Sequence, residues 1–266
     1  MGIFPESSFI SSFDLFLKNY YGKDLKVFYF HNSFLGEIHY SSAHKQFLVD
    51  MSIVSKFDEY DHNYLEPTIR KIRLFKEGNI HMPFKFYYFR ENSNSFSGGK
   101  WGSITYDFSR EIFKIEDSEI EELKNFLNNF GIPFKKNFLE LAFENYELSY
   151  QINNINLQFL TLMNGLEALF HPSNEGELTY RISRNVAVLL GENENKALDI
   201  QKEMKDLYRK RSKIVHTGKS GVSNEDLLKL RHYVRESIKE IYKINKSKDE
   251  ILKLLNLNGF GQRSWI

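Results

Sequence analysis

The stretch "LYRKRSKIVHTGK" (207–219) holds an arginine and a histidine five residues apart, Arg211 and His216. A guanidinium grips anionic oxygens through a fixed fork of donors, and an imidazole moves a proton near neutral pH. Together they suit chemistry at a phosphate. On a helical wheel Arg211 falls within the arc of Ile200, Met204, Leu207, Ile214 and Val215, which faces a core. An unpaired guanidinium there is prohibitively costly, so it needs a carboxylate, a phosphate or a solvent-open cleft. Glu167 is the lone charge in "FLTLMNGLEALF" (159–170) and the best partner by pattern. Two readings stay open: a buried Arg–Glu pair that only packs helices, or part of a reactive site.

His216 complicates the second reading. It lies about 140° around the same helix from Arg211, close to Arg209 and Ser212. For both side chains to reach one phosphate, the helix must unwind near Gly218 or two copies must meet. Arg209, seven residues before His216 and on its face, is the rival arginine. A histidine in a last helical turn is also a common dipole-compatible residue with no chemical task. Charge favours a site. Between Lys205 and Lys219 six basic residues stand against one acid, Asp206, in a chain of formal net charge +1. Such a patch would attract a polyanion in a salt-sensitive way.

The elements that must position these residues divide the chain. Residues 1–110 hold 25 of the 41 aromatics, in short runs of strand character: "LKVFYFH" (25–31), "TIRKIRLF" (68–75), "PFKFYYFR" (83–90) and "WGSITYDF" (101–108). They predict a mainly antiparallel sheet, with some helix near 8–20. From about residue 117 the period turns helical, with breaks at Gly131–Pro133, Pro172–Gly176, Gly191 and Gly218. Ser223 reads as a helix cap with Asp226 at the capping-box position. The expected class is therefore α+β: a β-rich domain over 1–132, then an all-α bundle over 133–266.

Other chemistries find little support. The chain has no cysteine, which excludes disulfides, thiol catalysis and Cys-ligated zinc. "SGGKWG" and "HTGKSG" both lack a glycine that a phosphate-binding P-loop requires. His31, His39 and His44 show no ligand-like spacing, and no metal or cofactor is expected. The N-terminal residues lack the pattern of a signal peptide, and no apolar run approaches a membrane span. A soluble cytoplasmic protein is the expectation.

"LYRKRSKIVHTG", preceded in order by "NGLEALF" and "LTYRISRNVAVLLG", resembles the Apea-like family of the HEPN superfamily over about residues 137–245. The resemblance implies a helical bundle that dimerises around its Arg–His motif, so that two copies form one cleft. It further implies metal-independent cleavage of single-stranded RNA by 2′-hydroxyl attack, in a prokaryotic defence or toxin setting. Carried over, the catalytic pair is Arg211 and His216, supported by Glu167, Ser212, Arg209 and Tyr208. Lys210, Lys213, Lys219 and Arg184 would contact RNA, with Arg181 the alternative to Arg184 as the second basic helix residue. Thr217 stands between His216 and Gly218, where many relatives place glycine directly after the histidine. A non-catalytic module binding RNA, nucleotide or protein, and a purely structural dimerisation bundle, are the alternatives.

Overall fold

A computed structural model describes residues 2–5, 51–54, 65–78, 84–88, 96–101, 113, 115–171, 177–218 and 221–259. The chain divides into two compact units, Met1–Glu66 and Pro67–Ile266. In the first, β1 (Gly2–Pro5) pairs antiparallel with β2 (Met51–Val54), Gly2 opposite Val54. In the second, β3 (Phe84–Tyr88) pairs antiparallel with β4 (Phe96–Trp101), with an irregularity between Lys85 and Tyr87.

Among the described residues these two-stranded pairs build no layer and the packed body is helical, which overturns the expectation of a β-rich first domain. The clearest correction is "TIRKIRLF", expected as a strand, which forms most of α1 (Leu65–Phe75). Its Ile69, Ile72 and Phe75 recur at helical spacing, and Ile72 and Leu74 are fully buried. The drive to bury that stripe outweighs the strand propensity of β-branched and aromatic residues. The expected strands at 25–31 and almost all of 101–108, and the helix near 8–20, lie outside the described residues.

After a short 3-10 turn, the helical body continues through α2 (Ile120–Asn129), α3 (Asn137–Gln151) and α4 (Ile155–Phe170). It is completed by α5 (Leu178–Leu190), α6 (Glu194–Thr217), α7 (Asn224–Ile244) and α8 (Lys248–Asn258). The pairs α3–α4 and α5–α6 pack closely, and α7 lies against α3, α4 and α5. Where α3 crosses α4, a Cβ on Gly165 would sit 3.3 Å from the Ala142 carbonyl oxygen, so the helices meet backbone to backbone. Phe143, Tyr146, Phe159, Leu162, Met163, Leu166 and Phe170 form the buried centre with Met204, Leu230 and Val234.

Buried charges near the centre are paired. Arg73 of α1 meets Glu147 of α3 at 2.6 Å, and the Tyr146 hydroxyl donates to the Arg73 carbonyl at 2.8 Å. Arg231 of α7 donates to the Ser149 carbonyl and to Gln158, with its guanidinium 4.5 Å above the Tyr150 ring. Among the described residues no helix is long and apolar enough to cross a membrane.

Candidate functional site at the end of helix α6

Helix α6 is set by its ends. The Asn193 side chain accepts from the Lys196 amide at the start, and Gly218 closes the helix in the left-handed region at φ 65°. That conformation carries a Cβ penalty that glycine avoids. The helix runs unbroken through Thr217, so Arg211 and His216 of one chain keep their separation of about 140°.

Arg211 turns toward α4. Its Nη2 lies 3.2 Å from Glu167 Oε1, with the two side chains 27% and 20% exposed. Tyr208, buried one turn earlier, donates its hydroxyl to that same oxygen at 2.6 Å. Its ring centroid stands 5.8 Å from the guanidinium carbon of Arg211. Burial, and then the bond to Glu167, push the Tyr208 phenol well above its ordinary pKa, against an opposing pull from Arg211. The phenol thus remains a proton donor and fixes the carboxylate. Arg211 Nε is buried without a hydrogen-bond partner among the described residues. The wheel's pairing of Arg211 with Glu167 is present, but at a partly open edge and not in a sealed core.

The second face carries the remaining candidates. His216, Ser212 and Lys213 are exposed there. Arg209 is exposed too, and forms a surface pair with Asp206 at 2.7 Å. Lys210 reaches across to Asp226, the capping-box residue of α7, whose carboxylate also accepts from the Ser223 amide and hydroxyl. Burial alone would raise the Asp226 carboxyl, but Lys210 and Ser223 hold it below the usual range. Arg184 donates to the Asn256 carbonyl near the end of α8, and Arg181 is exposed on α5. Lys219 lies outside the described residues.

Thus Glu167, Tyr208 and Arg211 come together, His216 joins Ser212 and Arg209 on another face, and Lys210 serves the α6–α7 junction. Among the described residues no three histidine, aspartate or glutamate side chains group to hold a metal ion. Two residues beside this site were passed over in the sequence, Lys202 and Tyr180, both exposed. The recurring three- and four-residue spacing that runs from Lys202 to His216 was the available signal. Comparison with family models, with curated proteins and with solved structures finds no match.

Proposed function

We propose that the protein is a metal-independent endoribonuclease acting on single-stranded RNA as a homodimer. The observation that carries this reading is the mounting of Arg211: Glu167 and Tyr208 orient the guanidinium at an edge where the side chain stays 27% exposed. A guanidinium needed only for packing would gain nothing from that opening. Arg211 binds non-bridging oxygens of the scissile phosphate and stabilises the charge that grows there. An imidazole takes the proton from the ribose 2′-hydroxyl as its oxygen attacks phosphorus. The bond to the 5′-oxygen breaks, that oxygen gains a proton, and the products are a 2′,3′-cyclic phosphate and a 5′-hydroxyl.

Because α6 runs unbroken to Thr217, the imidazole that meets Arg211 comes, on this reading, from the second copy. Ser212, exposed on the His216 face, adds a donor to the same phosphate.

Purified protein is expected to cut single-stranded RNA with EDTA present and leave a cyclic phosphate end. His216→Ala should abolish cutting while the melting midpoint stays put, since the side chain is exposed. Mixing inactive Arg211→Ala and His216→Ala chains should restore about a quarter of wild-type activity, because half of the random dimers carry one intact composite site of two. Retained cutting by His216→Ala removes the catalytic assignment. Wild-type RNA binding without any cleavage favours the non-catalytic module.

A further inference from the structure

The exposed face of α6 carries more than His216. Lys202, Lys205, Arg209, Ser212 and His216 follow one another at intervals of three and four residues. They fall within an arc about 80° wide and span about 21 Å of helix. Lys202, Arg209, Ser212 and His216 are exposed, and Lys205 is half-buried. The acids of the same stretch, Asp199, Glu203 and Asp206, lie on the flank toward α7, where Lys202, at the edge of the seam, lines one cleft with them and Tyr233. There Glu203 accepts from Tyr233 and from Lys229. Burial would raise its carboxyl, but those two donors hold it low and therefore charged.

The opposite flank differs. On α5, Tyr180 is 46% exposed, and the Lys205 ammonium stands 5.6 Å from its ring centroid. A large aromatic open to solvent beside a row of cations is how single-stranded nucleic acid is held: phosphates meet the charges and a base stacks on the ring. A duplex offers no free base face, and its width would press the second strand toward the acidic flank.

We infer that the seam is a binding track for single-stranded RNA, in which Lys202, Lys205 and Arg209 take successive phosphates, Tyr180 stacks a base, and the strand is delivered to His216. The inference rests on the nuclease reading for what happens at His216, while the binding stands apart from it. The Asp206 contact to Arg209 does not close the track, since a pair this exposed is worth little and yields to a phosphate.

The test is fluorescence anisotropy with a labelled 2′-O-methyl RNA 12-mer, which binds but has no 2′-hydroxyl to react. Replacing Lys202, Lys205 and Arg209 together by alanine should weaken binding and flatten the plot of log affinity against log salt by about 2, from three phosphate contacts. Tyr180→Ala should weaken it about 5- to 150-fold, while Tyr180→Phe, which keeps the ring, stays near wild type. All variants should melt close to the wild type, because Lys202, Arg209 and Tyr180 are exposed and only Lys205 is half-buried. Unchanged affinity and salt slope in the triple variant overturn the track, even if the wild type cleaves RNA. So does equal affinity for duplex RNA, or seam-dependent binding to phosphatidylserine vesicles without RNA binding. Seam-dependent RNA binding by a chain that never cleaves upholds the track and removes the nuclease reading.

Discussion

At the scale of single residues, the decisive atom is one carboxylate oxygen. Glu167 Oε1 accepts from a buried phenol and faces a half-open guanidinium. The two contacts differ in worth. Removing the hydroxyl with Tyr208→Phe deletes a part-buried hydrogen bond to a charged group, and urea unfolding should show a loss of about 1.5–3 kcal/mol. Arg211→Ala should cost no more than about 1 kcal/mol, because solvent reaches both partners and screens the pair. A reversed order of these costs would return Arg211 to a packing role. Much of this was legible in advance: the wheel pointed Arg211 at the only charge in a neighbouring apolar segment. The partner of Lys210 was not. It depends on where the start of α7 lies against α6, which periodicity does not encode.

At the scale of elements, the α6–α7 junction is a knot of local signals and one long-range contact. Ser223 and Asp226 cap α7 reciprocally, and Lys210 clamps the same carboxylate from α6. The folded pKa of Asp226 lies below its ordinary value of 3.8. Its contribution is therefore whole above that value and is lost as pH falls through the folded pKa. Asp226→Asn should cost about 1 kcal/mol at neutral pH, and the gap from wild type should close in strong acid. A gap that is constant with pH would show that the charge is not what matters. Caps of this kind could be read from sequence because Ser, Asp, Asn and Gly act within a turn of their own position. The identity of α1 could not, because strand-favouring residues filled a helix whose stability comes from burying Ile72 and Leu74 against partners far along the chain.

At the scale of the whole molecule, four buried phenols give folding a common pH dependence. Tyr146, Tyr150, Tyr208 and Tyr233 are all pushed above the ordinary phenol value, by burial first in each case. Above about pH 10 the unfolded chain releases these protons while the folded one keeps them, so stability falls as pH rises. Lys71, Lys136 and Lys248, pushed down by burial, act in the opposite sense. They do so equally in any tyrosine variant. The double substitution Tyr208→Phe with Tyr233→Phe should therefore lose about 2 kcal/mol less than wild type between about pH 10 and 11. Parallel denaturation curves across that range would refute the assignment. The helical half of this architecture was readable because its breaks are glycines and prolines between long periodic runs. Residues 68–75 were not readable in the same way, because their strand-favouring side chains form a helix once Ile72 and Leu74 are buried.

The lengthwise seam from Lys205 to His216, beside a flank that carries Asp199, Glu203 and Asp206, has a dynamic consequence. A chain of net charge +1 exerts almost no pull on a distant polyanion. Within about 8–10 Å, the screening distance in physiological salt, the separated charges act as a crosswise dipole and exert a torque. On the proposed track, a single strand arriving at an angle would be rotated until it lay lengthwise on the helix before any base met Tyr180.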